Sequence, residues 1–128
     1  MKILIDTHTL IWMDSDPRQL SPTAVACFND PANEIWLSVV SVWEMVIKSA
    51  LGKLTLSGDI HQVVQDIQAQ NPLLLLDIRY PHALAVRGLP LIHKDPFDRL
   101  LVAQALVEGA TILTRDKNIQ QYPVPTLW

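Results

Sequence analysis

The sequence predicts an α/β fold in which a parallel sheet of about four to five strands is flanked by helices on both faces. Two observations predict it. Short apolar runs alternate with longer segments of helical period, and prolines, glycines and capping residues separate them. Apolar residues make up 49% of the 128 positions, so we expect one packed domain over residues 1–128. In such sheets, ligands bind beyond the carboxyl ends of the strands.

The predicted strands are short and apolar, and the one at 35–40 is rich in β-branched and aromatic residues. They cover residues 2–5, 35–40, 73–77 and 111–114, and a last short strand is expected at 125–128.

The predicted helices between the strands have recognisable start and stop signals. Ser21 before Pro22 is a capping residue before a first-turn proline and predicts a helix to about residue 28. Ser41 and Glu44 have the spacing of a capping box, and the helix that they open is expected to end near Gly52. Residues 57–70 have an apolar stripe of helical period.

A further helix is predicted over residues 97–108. Asp95 and Pro96 open it, and Gly109 ends it. The apolar side chains that we expect to face inward from it are Leu100, Leu101, Ala103, Ala105 and Leu106.

Charge and cysteine content restrict the class of protein. The net charge of −3 argues against a simple nucleic-acid-binding module, although it does not exclude a metallonuclease. Cys27 is the one cysteine and has no internal disulfide partner, which favours a reducing cytoplasm. Asp6 would interrupt the apolar region of a secretory signal, so we expect Met1 to begin the folded domain. No run approaches the roughly 20 apolar residues of a membrane helix.

Four acids fall where this fold would bind a ligand. Asp6 and Asp116 follow predicted strands, Glu44 lies in the first turn after a strand, and Asp98 lies in the first turn of the helix opened by Asp95. Each also has a local explanation: a cap for Asp6, a capping box for Glu44, the helix dipole for Asp98 and a surface turn for Asp116. Four unrelated acids would have no reason to share one edge of a sheet, so we expect them to converge.

Converging carboxylates need a cation, because two of them about 4 Å apart repel by roughly 4 kcal/mol at an effective dielectric constant of 20. The four histidines, His8, His61, His82 and His93, are too scattered for a zinc site. An all-oxygen site suits Mg²⁺, or Mn²⁺, and one ion or two are equally compatible with the sequence. Such a site activates a water to hydrolyse a phosphodiester.

Neighbouring side chains are candidates for supporting roles. Thr7 and Thr114 place hydroxyls beside Asp6 and Asp116, where each either orients a carboxylate or caps a helix. The basic side chains that either contact phosphates or stay solvated are Lys48, Arg99, Arg115 and Lys117. The histidines that either line the cleft or pack are His8 and His93. The tryptophans that we expect in the core or in a dimer interface are Trp12, Trp36, Trp43 and Trp128.

Four motifs, in this order and with these gaps, resemble the PIN-domain nucleases, and specifically the VapC-type toxins of VapBC toxin–antitoxin pairs. They are Ile-Asp-Thr-His-Thr-Leu-Ile-Trp at 5–12, Ser-Val-Val-Ser-Val-Trp-Glu at 38–44, His-Lys-Asp-Pro-Phe-Asp-Arg at 93–99 and Leu-Thr-Arg-Asp at 113–116.

The resemblance implies a single PIN-like domain that acts as a Mg²⁺-dependent endoribonuclease. It implies that Asp6, Glu44, Asp98 and Asp116 are both catalytic residues and metal ligands, with Thr114 as their usual partner. It also implies an RNA substrate, a small VapB-type antitoxin, and a homodimer or a toxin–antitoxin hetero-oligomer.

Three alternatives to a toxin are considered. The first is a PIN-like nuclease of RNA or DNA processing with no toxin role. A non-catalytic domain that binds a metal or a partner is a second alternative. A haloacid-dehalogenase-type phosphatase is disfavoured, because its second aspartate would stand at position 8, where this chain has His8.

Overall fold

A parallel sheet is the centre of the fold in the computed structural model, which describes residues 1–128. Its strands are β1 (Lys2–Ile5), β2 (Glu34–Ser38), β3 (Leu73–Leu76), β4 (Thr111–Leu113) and β5 (Thr126–Leu127). All neighbouring strands pair in parallel in the order β3-β2-β1-β4-β5. The predicted α/β class and the parallel sheet are therefore confirmed.

The register of the central strands brings three chain segments to the same height. Ile5 at the end of β1 lies opposite Leu37 of β2 and Leu113 of β4. The chain leaves β1 toward β2 on one side, whereas it leaves β4 toward β5 on the other side. The crevice between β1 and β4 is thus the topological switch point, where open α/β sheets bind ligands.

Seven α-helices surround the sheet. They are α1 (Thr7–Ser15), α2 (Pro22–Asn29), α3 (Val39–Ala50), α4 (Ile60–Gln70), α5 (Tyr80–Ala85), α6 (Pro96–Glu108) and α7 (Lys117–Gln120). Short 3₁₀ turns at Pro17–Gln19 and Val86–Gly88 extend the connections after α1 and α5. None of the helices combines the length and the apolar character that a membrane crossing requires.

Each face of the sheet has its own apolar core, because successive strand side chains point to opposite faces. Ile3 and Ile5 of β1 pack in one cluster with residues of α1, α2, α3 and α4. Leu4 of β1 and Ile112 of β4 pack in the other, chiefly with α6. Cys27 is buried in the first cluster and is a free thiol, as expected.

The junction of β2 and α3 differs from the prediction. Strand β2 ends at Ser38, and the residues Val39 and Val40 belong to the helix rather than to a strand over 35–40. Ser38 is the N-cap, because its Oγ accepts the N–H of Val40 at 3.0 Å. The capping box predicted between Ser41 and Glu44 is therefore wrong, and Glu44 lies in the second turn of α3.

Several smaller expectations also need correction. Helix α4 begins at Ile60 behind the cap Asp59, whereas Ser57 bonds to Asp14 instead. The short helix α5 had no recognised signal in the sequence. Leu106 of α6 is 40% exposed and does not face inward. Of the tryptophans, Trp36 and Trp128 are partly buried against the two cores, whereas Trp43 is 52% exposed and is not a core residue. A place in a dimer interface stays a prediction.

Candidate metal centre

Asp6 is the buried acid at the switch point. It follows β1 directly, caps α1, and is only 3% exposed. Its Oδ1 accepts the N–H and the hydroxyl of Thr9 at 2.8 and 2.6 Å, and its Oδ2 accepts the hydroxyl of Thr114. Burial raises the pKa of the Asp6 carboxyl, against the hydrogen bonds from Thr114 and Thr9, which lower it. Asp6 thus caps α1, and its role as a metal ligand stays a prediction.

Asp116 is connected to Asp6 by hydrogen bonds of one threonine, Thr114. The Thr114 hydroxyl that donates to Asp6 also accepts the N–H of Asp116 at 2.9 Å. Asp116 caps α7, because its Oδ1 accepts the N–H groups of Asn118 and Ile119 at 2.7 and 3.3 Å. Thr114 is fully buried and joins the loop after β4 to the end of β1.

Glu44 reaches the same edge from α3 and is 3% exposed. Its Oε1 accepts the hydroxyl of Thr7 at 2.7 Å, and its Oε2 pairs with Lys48 Nζ at 2.5 Å. Thr7 therefore orients Glu44 and not Asp6, beside which the sequence had placed it. The hydroxyl of Ser41 is 2.9 Å from that of Thr7 and continues this chain of bonds.

Asp98 is the acid whose pKa responds to the charges of the other acids. It lies in the first turn of α6, and its side chain is 17% exposed. Loss of solvation raises the pKa of its carboxyl to about 7, and nearby negative charges add to the rise. Those charges, in decreasing order of effect, are on Asp95, Glu44, Asp116 and Asp6. The negative charges of all three other predicted acids thus act on the carboxyl group of Asp98.

The carboxylates keep free lone pairs for a cation. A carboxylate oxygen has about two acceptor positions. Those of Asp6 Oδ1 and Asp116 Oδ1 are filled by protein donors. Asp6 Oδ2 receives one hydrogen bond and Asp116 Oδ2 receives none, so each presents an unused position. The donor set is oxygen-rich and mutually repulsive, which fits a hard divalent ion such as Mg²⁺.

The tightest group of ligand atoms is not the predicted quartet. The ligand atoms of His93, Asp95 and Asp98 lie within 4.8 Å of one another, a distance that no three of the four predicted acids meet. Asp95 also caps α6 through Oδ1, and His93 Nε2 is 3.4 Å from Asp98 Oδ2. Mg²⁺ usually keeps several waters, so carboxylates spaced more widely than direct ligands still suit it.

Two basic residues of the rim have protein partners. The hydrogen bond to Glu44 raises the pKa of Lys48, which also lies near the charges of Asp95 and Asp98. Arg99 donates to the carbonyls of Pro90 and Val86 at 2.8 and 3.3 Å, so it fixes the loop that leads to His93. A phosphate contact by Arg99 stays a prediction.

Comparison with known proteins gives results consistent with this arrangement. A model of the PIN domain family matches residues 3–125. Ribonuclease VapC22 of Mycobacterium tuberculosis (strain ATCC 25618 / H37Rv) is 25% identical over 130 residues, which cover 98% of each chain.

Solved structures share the fold. A chain of VapBC2 from Rickettsia felis, bound to a promoter DNA fragment, superimposes with a TM-score of 0.74 at 14% identity, covering 99% of this chain and 98% of that chain. A chain of DNA-bound VapBC from Salmonella typhimurium gives 0.68 at 15% identity, covering 99% and 97%.

Proposed function

Because the chain belongs to the PIN domain family, we propose that it is a Mg²⁺-dependent endoribonuclease whose site consists of Asp6, Glu44, Asp98 and Asp116. The observation that carries the proposal is the pair of Asp6 and Asp116 at the switch point, joined by the buried hydroxyl of Thr114. Asp98 lies near them, and its pKa is raised to about 7 by burial and by nearby carboxylates, of which Asp95 has the largest effect. Carboxyl groups with raised pKa values are concentrated at catalytic and ligand-binding sites.

Some residues of the site would bind the metal ion, and others orient those ligands. A divalent ion would be held by four carboxylates. Thr114 orients Asp6 and Asp116, and two helices present Asp98 and Glu44. When bound, that ion supplies positive charge to the scissile phosphate and activates the attacking water. Thr7 and Lys48 hold the Glu44 carboxylate in place. Asp98 must release its proton before it can act as a ligand, because a metal ligand has to be deprotonated.

We also propose that the protein is the toxin of a type II toxin–antitoxin pair. The related VapC22 is named a ribonuclease, and the similar solved structures are VapBC complexes. A VapB-type antitoxin would have to mask an acidic cleft, so we expect it to present an arginine or lysine toward Asp6 and Asp98. A homodimer or a toxin–antitoxin hetero-oligomer is the expected assembly.

The test is cleavage of total cellular RNA by protein freed from any antitoxin and refolded. We expect cleavage in Mg²⁺ and none in EDTA or with Asp6→Asn. Asp66→Asn is the matched control, because Asp66 is an exposed acid of α4 away from the site. Cleavage that persists in EDTA or in the Asp6→Asn variant would contradict the metal-site proposal. Growth arrest that survives Asp98→Asn would favour the non-catalytic alternative.

A further inference from the structure

A cleft of about 210 Å³ opens directly beside the proposed metal centre. Its lining residues are Asp6, His8, Trp12, Arg115 and Asp116. Acids of the centre thus form part of the wall, while aromatic rings and a guanidinium form the remainder. A guanidinium has no lone pair with which to ligate a metal ion, so Arg115 needs an explanation beyond metal binding.

The guanidinium of Arg115 is held by an aromatic ring rather than by a carboxylate. Its Cζ lies 4.4 Å from the centroid of the Trp12 ring, a cation–π distance. No acid lies within salt-bridge distance of it, although Asp6 and Asp116 line the same cleft. Its one hydrogen bond is a long contact of 3.4 Å to Gln19. Most of its five N–H donors are therefore available.

Trp12 is itself held by two other rings. Its ring centroid lies 5.6 Å from that of Trp128, which follows β5, and 5.7 Å from that of His8 on the first turn of α1. Arg115 belongs to the loop after β4. The stack therefore joins α1, β4 and β5, so the guanidinium is positioned before any substrate arrives. Prepositioning of this kind reduces the entropy lost on binding.

Two other basic residues near the centre are already engaged. Lys48 pairs with Glu44, and Arg99 donates to loop carbonyls. Arg115 is the arginine that lines this cleft, and most of its donors are free. A guanidinium recognises phosphate through two parallel N–H bonds.

We propose that Arg115 binds a backbone phosphate of the RNA strand next to the phosphate that is cut, and that Trp12 is the positioning residue that holds it there. This inference rests on the proposed function, since it takes RNA as the substrate. It has a consequence for the substrate: the strand must continue past the scissile phosphate into the Arg115 cleft.

The test is binding of a labelled, short, mixed-sequence single-stranded RNA across a series of KCl concentrations. Ca²⁺ replaces Mg²⁺, and a gel shows whether the RNA stays intact; if it is cut, KM takes the place of Kd. We expect Arg115→Ala to weaken binding about tenfold and to reduce the slope of log K against log salt by about 0.7, the loss of one phosphate contact on a single strand. Arg115→Lys should keep the slope but not the full affinity.

Trp12→Phe tests positioning, because phenylalanine keeps a ring but a weaker cation–π partner. We expect it to raise KM without changing kcat and to leave the salt slope intact. Lys2→Ala is the control, since it removes one positive charge at the amino end of β1, and it should change neither quantity. Thermal unfolding of each variant verifies folding.

Wild-type affinity and slope in Arg115→Ala would overturn the inference, and so would a wild type that does not bind the RNA. A wild type that binds through Arg115 but cleaves no RNA would contradict the proposed function alone.

Discussion

Thr114 donates its hydroxyl hydrogen to Asp6 across 108 positions of sequence, and the same oxygen accepts the N–H of Asp116. One buried side chain thus joins the two strands of the switch point and sets the direction of two acids. Its geometry explains why a threonine, with one donor and two acceptor positions, stands between a carboxylate and an amide.

Thr114→Val should therefore damage both stability and activity. Valine keeps the shape but leaves the N–H of Asp116 without its acceptor and Asp6 Oδ2 without its donor. We expect a loss of about 1–3 kcal/mol in the free energy of unfolding in EDTA and at least a tenfold loss of cleavage. Urea denaturation and RNA cleavage measure the two effects. Thr114→Ser keeps the hydroxyl and is the control; equal losses in both variants would contradict the role of the hydrogen bonds.

Asp98→Asn should stabilise the metal-free protein while abolishing cleavage. The pKa of Asp98 rises from 3.8 to about 7 on folding, so its charged form opposes folding. The cost is absent below pH 3.8, grows as the pH rises toward 7, and is complete above that. The upper limit is about 4 kcal/mol, and we expect about 1–3 kcal/mol at pH 8 after relaxation of the site. Urea denaturation in EDTA at pH 8 and at pH 3.5 measures it; a destabilised variant at pH 8 would contradict the clustering of charge.

Lys48→Gln should destabilise the protein in EDTA, because it leaves the buried Glu44 carboxylate without its ion pair. The expected loss is about 1–3 kcal/mol, and Glu44→Gln should cancel most of it, because the two residues interact directly. A double-mutant cycle by urea denaturation measures the coupling. Additive losses would show that Lys48 and Glu44 do not stabilise each other. Lys53→Gln, on the exposed loop after α3, is the control.

Glu108→Gln should destabilise the protein at neutral pH and not in acid. Hydrogen bonds from His82 and Arg79 hold the pKa of the Glu108 carboxyl below its ordinary value of 4.5. Its stabilisation is present above pH 4.5 and is lost as the pH falls through the lower, folded-state pKa. We expect a loss of about 1–2 kcal/mol at pH 7, and a difference between variant and wild type that shrinks at pH 3. A difference that stays constant with pH would contradict the effect of charge.

The sheet and two of the site acids follow from local sequence signals. The alternation of apolar runs and capped helices is enough to place β1, β4 and α6, and hence Asp6 and Asp98. The β2–α3 junction is harder, because Ser38 and Ser41 have the same capping chemistry and Val39 and Val40 favour a strand. In the structure Ser38 is the cap of α3, and its hydroxyl also donates to Gln104 of α6, a contact that no local pattern indicates.

The partners of the acids follow from tertiary structure and have no local signal. Thr9 lies two residues from Thr7, which the sequence does mark as a candidate. Its two hydrogen bonds to Asp6 depend on the turn at the end of β1. The stack of Arg115 on Trp12 joins residues that are distant in sequence. Helix α5 is six residues long and begins with Tyr80 and Pro81, too short for a periodic pattern to stand out.

The position of β1 between β2 and β4 has a consequence for the timing of activity during synthesis. Asp6 is translated 108 positions before Thr114, and Thr114 and Asp116 can join it only when β4 has been made and pairs with β1. A growing chain therefore carries no complete centre. If the protein cuts RNA, the messenger that encodes it and the ribosome that reads it are exposed to a competent enzyme only after translation has passed Asp116.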